Sequence, residues 1–364
     1  MDKESLENGV NNYFPGKIAV ITTAKSVRGE DYNAGERLLA KYGAGKLKHL
    51  AWPVDVVAER QTMFKLVSSL ADDPDIKAII INQAVEGTNL TMKKLRETRD
   101  DIFIVYGITL EPPSEAAVCA NLVLFSDIFG MGPAVARQAI KQGAKAFVHY
   151  SFPRHLAMET VSARRDLLKD ICTAEGIVFI DAIAPDPREE AGEEGTSKFI
   201  LDDVPGMVAK YGEDTVFFGT NCHMQIALIK AVIESHAILA QTCCPSPFHG
   251  FPEAMGIMNP DYDLKKMINR ARIISREKNM NGRLSTWPVS APMMYTAVGA
   301  EYAIRWLREE VPKNHIDGDI LLTMFKEYIG EVYGKDSNIF VNSYVEKGIT
   351  YDNFKLIRMS YLDF

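Results

Sequence analysis

No stretch of the 364-residue chain approaches the roughly 18 consecutive apolar residues of a membrane-spanning helix. No block of Lys or Arg interrupts it, and the formal net charge is −7, so the footprint of a nucleic-acid surface is missing. Cysteine is sparse. Cys119, Cys172, Cys222, Cys243 and Cys244 form no even, spaced framework, and reduced thiols are the simpler assumption. The phosphate loop, the G-x-G-x-x-G fingerprint and the H-E-x-x-H pattern do not occur. The start, MDKESLENGVNNYFPG, is polar and acidic, unlike a signal peptide. This leads us to expect a cytoplasmic protein, or an exported lipoprotein whose leader lies outside this sequence.

What is present is ordinary globular composition, 47% hydrophobic and 24% charged, over a length that usually exceeds one core. From Lys17 onward, short apolar runs alternate with amphipathic stretches. Strands are expected at Ile18–Thr22, Leu47–Trp52, Ala78–Asn82, Ile102–Tyr106, Leu122–Phe125, Ala146–Tyr150, Ile177–Ile183 and Val216–Gly219. Most are rich in Val, Ile and Phe without polar alternation, as strands covered on both faces should be. Helical spacing occupies Asp31–Tyr42, Val56–Leu70, His155–Glu175, Cys222–Ser235, Pro288–Leu307 and Asp319–Tyr333. Asp127 is placed to cap a helix that Gly143 ends, and Thr220 or Asn221 to cap the one from Cys222. The acidic segment Pro185–Gly195 reads as a solvated loop. Strand–helix alternation at this spacing implies an α/β protein with two Rossmann-like, parallel-sheet lobes.

In open parallel sheets, ligands bind beyond the carboxyl ends of the strands. The richest such end is Lys145 to His155, KAFVHYSFPRH, where an apolar strand delivers His149, Tyr150, Ser151, Arg154 and His155. Thr22, Thr23, Gln83 and Thr109 end strands in the first half, and Asp181, Asn221 and Cys222 end strands in the second. Hydroxyl, amide, imidazole and aromatic groups at this density suit hydrogen bonding to a neutral polar or anionic small molecule. The cationic groups Arg154, His149 and His155 would favour a carboxylate or phosphate, or pair with Asp181 or Asp186. Each residue also has a plainer role as a cap or a loop polar group.

Two further chemistries are open to these residues. Cys222, at a helix start beside His223, has the setting of an activated thiol, but adjacent helical residues point about 100° apart, poor geometry for a thiolate–imidazole pair. Cys243-Cys244 with His249 offers soft ligands without the usual C-x₂-C spacing, so packing is the simpler reading. No catalytic residue, metal or cofactor is assigned on this basis.

Thr220-Asn221, Met224-Gln225 and Ile229-Lys230-Ala231-Val232 resemble the crevice strand and helix of type I periplasmic binding proteins, whose fold also forms the effector domains of LacI-type repressors. Val123–Asp127 on to Val148 resembles their crossover between lobes, and Ser285–Val289 with Gly299–Ala303 the return. The blocks His149–His155, Ala184–Pro187, Phe199–Pro205, Cys243–Gly250 and Ser285–Pro288 are similar to those of an uncharacterised bacterial family in that superfamily, many of whose members look like solute-binding lipoproteins. The resemblance implies residues 17–127 and 288–312 as lobe 1, 128–287 as lobe 2, and 313–364 as an extension packed on lobe 1. It implies a hinge at Asp127, Trp287 and Pro288, closing the lobes on a polar small molecule without chemistry. Implied partners are that ligand and a transporter or regulatory protein, with no direct contact to nucleic acid. Only about sixteen residues precede Lys17, too few for a DNA-binding helix-turn-helix. Two alternatives stay open: a component of an effector-sensing transcriptional regulator, and an enzyme using Cys222 or the histidines.

Overall fold

Isoleucine, valine and phenylalanine concentrate in the short apolar runs from Ile18 to Gly219, and each of the eight runs is a strand. The computed structural model describes residues 13–335 and 337–364; the first twelve residues of the polar start lie outside the described residues. The chain divides into two units. Unit 1 holds the described residues up to Phe125, with Tyr295–Leu321 and Ser343–Lys355. Unit 2 holds Ser126–Met294, Leu322–Asn342 and Leu356–Phe364.

The first half runs β1 (Lys17–Thr22), α1 (Gly29–Tyr42), β2 (Leu47–Ala51), α2 (Arg60–Ala71), β3 (Ile76–Ala84), α3 (Thr88–Arg96), β4 (Phe103–Thr109), α4 (Pro113–Cys119) and β5 (Leu122–Ser126). These strands lie in the order β5-β4-β3-β1-β2, paired in parallel. Ile79, Ile80 and Ile81 are at most 1% exposed although they alternate faces, because helices cover both sides of a parallel sheet.

The second half runs α5 (Ile128–Lys141), β6 (Ala146–Ser151), α6 (Pro153–Leu156), α7 (Glu159–Ala174), β7 (Val178–Ile183), α8 (Gly192–Tyr211), β8 (Thr215–Gly219), a single 3₁₀ turn at Cys222–Met224, α9 (Gln225–Glu234), α10 (Phe251–Met255), α11 (Leu264–Glu277) and β9 (Ser285–Thr286). β7, β6 and β8 form a parallel sheet in that order. A parallel bridge from Val216 to Ile238 continues it, so the segment after Ile238 leaves on the same edge as β8. Its core includes Phe147, Val216, Phe218 and Ile238 from the sheet and Met131, Val135 and Leu168 from α5 and α7.

The remaining elements are α12 (Ala291–Leu307), α13 (Gly318–Tyr333), β10 (Ile339–Glu346), β11 (Ile349–Met359) and β12 (Leu362–Asp363). β11 and β10 extend the first sheet beyond β5, and β12 pairs antiparallel with β9. A Cβ on Gly299 of α12 would sit 2.8 Å from Val105 Cγ1, so glycine lets this helix lie directly on β4.

All eight expected strands form, and so do the caps. Asp127 accepts a hydrogen bond from the Gly130 N–H at 2.8 Å, and Asn221 from His223 N–H at 2.9 Å. Three boundaries differ from the sequence reading. The helix expected over His155–Glu175 is two, because Met158 adopts an extended backbone (ψ 119°) and α7 restarts with Glu159, an acidic residue in its first turn. The expected loop at Pro185–Gly195 ends at Ala191, where the twenty-residue α8 begins with Gly192. The helix expected from Cys222 opens as one 3₁₀ turn before α9.

Candidate functional site

In unit 1 the polar residues at the strand ends are held by one another. Thr22 Oγ1 lies 2.9 Å from His49 Nε2 and donates to the Thr23 carbonyl at 3.1 Å. Thr23 donates to the Asp31 carboxylate at 3.2 Å. Thr109 Oγ1 accepts from the Glu111 N–H at 3.0 Å, shaping the turn after β4. Gln83 and Ile108 are neighbours on β3 and β4, flanked by the pairs Asn82–Gly107 and Ala84–Thr109. Both carry left-handed backbones, φ 61° and 59°. For a β-branched residue such as Ile108 this conformation is strained, and such strain concentrates at functional positions. Gln83 is 6% exposed, and its Nε2 has no hydrogen-bond partner among the described residues.

In unit 2 the carboxyl ends of β6 and β8 bring together Ser151, His155, Thr220 and Asn221. Ser151 Oγ is 2.9 Å from Thr220 Oγ1, which also lies 3.2 Å from His155 Nδ1. Asn221 Nδ2 is 3.5 Å from His155 Nε2. The break before α7 frees His155 from a long helix and lets it turn toward Thr220. Its ring rests on Phe152, with centroids 4.2 Å apart. Burial, aided by the nearby Arg154 charge, pushes the His155 pKa down to about 4, so the imidazole is neutral at pH 7.

Other residues of the Lys145–His155 segment are engaged inside the unit. His149 is 1% exposed, between the rings of Phe179 and Phe218 at 6.1 and 6.0 Å. Burial first, then the Arg164 charge, pushes its pKa down to about 3. Tyr150 is fully buried and donates to the Asp203 carboxylate at 2.6 Å, so its ring serves the core rather than a ligand. Arg154 makes a two-pronged pair with Asp186, both contacts at 2.7 Å, which holds that carboxyl down to about 2. Asp181 is bound by Arg165. Asp127 caps α5, while Trp287 and Pro288 are buried in unit 2 shortly before α12.

Cys222 follows β8, and Cys243-Cys244 end the neighbouring segment that runs beside β8. The register of the Val216–Ile238 bridge therefore carries these thiols to one sheet edge, joined by His249 from the next turn. Gln225, 1% exposed, links the two loops: its Nε2 donates to the Asn221 carbonyl at 3.4 Å, and its Oε1 accepts from Cys243 N–H at 3.4 Å. All five cysteines of the chain are thiols. Cys222 is exposed, and Cys243, Cys244 and His249 are half-buried. Burial and the two adjacent sulfurs hold the Cys243 thiol well above its ordinary pKa. Sequence reasoning named the four residues but not their convergence, for which a soft-ligand set on neighbouring strand ends was the available signal.

Comparison with known proteins places the fold. One solved structure, described as a "Putative transcriptional regulator from Clostridium difficile 630", superposes with a TM-score of 0.80 at 21% identity, covering 97% of this chain and 100% of that one. A substrate-binding protein of a sugar ABC transport system from Bordetella parapertussis gives 0.56 at 11% identity, over 96% and 89% of the two chains. A solute-binding protein from Clostridium phytofermentas with bound L-rhamnose gives 0.51 at 10% identity, over 96% of each. The fold is that of the type I periplasmic binding proteins. Two uncharacterized proteins of Treponema pallidum (strain Nichols) are related in sequence. One is 28% identical over 58% of this chain and 97% of its own length. The other is 34% identical over 47% and 80%. Residues 16–285 match the family described as Protein of unknown function (DUF3798), and the chain belongs to that family.

Proposed function

We propose that the protein binds a polar, hydroxyl-bearing small molecule at the carboxyl ends of its parallel strands and releases it unchanged. The observation that carries this reading is Gln83, a buried amide on a strained left-handed backbone, whose Nε2 finds no partner among the described residues. An orphaned buried donor costs about 1–3 kcal/mol, a cost that a ligand acceptor would remove. In unit 1, Thr22 and Thr23 end the strand next to that of Gln83; unit 2, taken by itself, offers neutral donors and acceptors of the same kind at Ser151, His155, Thr220 and Asn221. Neutral His155 suits an uncharged ligand better than an anion. Structural neighbours described as sugar-transport proteins support the same ligand class. The ligand would then be handed to a transporter or reported to a regulatory partner.

Native mass spectrometry of freshly purified protein, with a thermal-shift screen of neutral sugars and nucleosides, tests this. A ligand at about 100 times its Kd raises stability by about 2.7 kcal/mol. Gln83→Ala should abolish that rise while leaving the unliganded protein folded. No adduct and no shift across the library would overturn the reading, and consumption of the ligand would favour an enzyme instead.

A further inference from the structure

Independently of the small-molecule reading, we propose that Cys222, Cys243, Cys244 and His249 hold one thiophilic metal ion of the zinc class, through three thiolates and an imidazole nitrogen. The sulfur positions carry the argument. The three Sγ–Sγ distances are 3.6 Å (Cys222–Cys243), 3.7 Å (Cys222–Cys244) and 4.0 Å (Cys243–Cys244). A tetrahedral ion with metal–sulfur bonds of about 2.3 Å spaces its sulfurs about 3.8 Å apart. With a metal–nitrogen bond of about 2.05 Å, the sulfur–nitrogen edge becomes about 3.5 Å, and His249 Nε2 lies 3.3 Å from Cys243 Sγ. All four ligand atoms fall within 4.8 Å of one another. The sulfurs thus have the spacing of one face of a coordination tetrahedron, and the His249 imidazole is near enough to supply its remaining corner. An iron–sulfur cluster, with several irons, would hold its cysteine sulfurs farther apart, so the spacing selects a single ion.

The supporting structure fits the same assignment. Gln225 ties the Cys222 loop to the Cys243 loop. Gly250, next to His249, adopts φ 80° and comes so close to α9 that a Cβ would lie 3.1 Å from Ile229 Cδ1. The Thr242 hydroxyl donates to the Cys244 carbonyl at 2.7 Å and fixes the vicinal pair.

Charge is the second, separate observation. A divalent ion with three thiolates carries a net charge of −1. Arg164 of α7 is 4% exposed. Among the described residues it has no carboxylate partner: Nη1 points to Met131 Sδ at 3.6 Å, the guanidinium lies over the Phe218 ring at 5.1 Å, and Nε is unpartnered. A buried cation without a carboxylate partner, packed on Phe218 of the strand that Cys222 follows, suits the counter-charge of an anionic metal–thiolate centre. Binding the divalent ion releases three thiol protons and involves no redox change. Four protein ligands close the coordination sphere, so the ion's role is to fasten the segment 242–250 to the start of α9.

The test uses the full chain purified under reducing conditions without chelator. Elemental analysis should find one zinc equivalent per chain. Cobalt substitution should give a thiolate-to-cobalt charge-transfer band with the intense visible bands of a tetrahedral site. Three thiols should become reactive to a disulfide reagent only after chelation, and chelation should lower the Tm. Cys243→Ser should remove the charge-transfer intensity, and Gln225→Ala should weaken zinc binding by about 10- to 100-fold, as loss of supporting residues does. If Cys243→Ser does not fold, the chelation and thiol counts on the unaltered protein still decide. No retained zinc after loading, or equal thiol reactivity with and without chelator, overturns the proposal, as does a disulfide among the three in the reduced preparation. Gln83→Ala, in unit 1, should leave the metal count at one, which separates this outcome from failure of the small-molecule reading.

Discussion

Acid should destabilise this protein well above the range in which carboxylates titrate, and His149 sets the size of the effect. Its imidazole lies between Phe179 and Phe218, and its pKa falls from 6.5 in the unfolded chain to about 3 in the fold. Between those values unfolding takes up a proton, so stability falls as the pH falls. The slope is about 1.4 kcal/mol per pH unit, and one histidine with these two pKa values costs about 2.3 kcal/mol between pH 6.5 and pH 4.5. His155, pushed down to about 4, acts in the same direction over the same interval. Asp186, held at about 2, loses its contribution only below its ordinary value of 3.8 and stays out of this window. Urea unfolding at pH 6.5 and 4.5, on the unaltered protein and on His149→Gln, isolates the His149 share as a double difference. The variant should lose about 2 kcal/mol less on acidification, and the His149 ring resonances should not titrate between pH 5 and 8. An equal acid loss in both proteins, or a ring that titrates near 6.5, would refute a buried neutral imidazole.

Three further outcomes are expected. Asp127→Ala removes the α5 cap and should cost about 1 kcal/mol in thermal or urea unfolding, with Asp127→Ser recovering most of it. Arg154→Met leaves the Asp186 carboxylate, 3% exposed, without its two-pronged partner, and should destabilise by about 1–3 kcal/mol while raising the Asp186 pKa as read by carboxyl NMR. Gly250→Ala places a Cβ on a left-handed backbone 3.2 Å from Gln225 Cβ, and should lower the Tm rather than raise it as a neutral Gly→Ala change would.

The backbone plan was legible because its signals are local. Runs such as Ile79-Ile80-Ile81 are short and β-branched, which favours strands covered on both faces over buried helix, and Asp127 and Asn221 are caps by residue type and position. The start of α8 was hidden by Gly192-Glu-Glu-Gly195, whose composition reads as loop although apolar residues follow at helical spacing. The break at Met158 was hidden because nothing in His155–Glu159 forbids a continuous helix. Side-chain fates were harder still. His149 and Ser151 share a face of β6, yet one is sealed between aromatic rings and the other reaches the strand end, a difference set by Phe179 and Phe218 on neighbouring strands. The thiol cluster depends on one parallel bridge, Val216 to Ile238, which no spacing of cysteines along the chain encodes.

Each unit is sewn from three separate stretches of chain, and this has a consequence for biosynthesis. Unit 1 takes its last stretch from Ser343–Lys355, and unit 2 from Leu356–Phe364. A ribosome delivering residues in order therefore completes neither unit until almost all 364 residues have been made. The short β12 then docks on β9, and Phe364 settles against Phe251 with ring centroids 5.0 Å apart. Such long-range closure slows folding and lengthens the time that apolar surface stays uncovered.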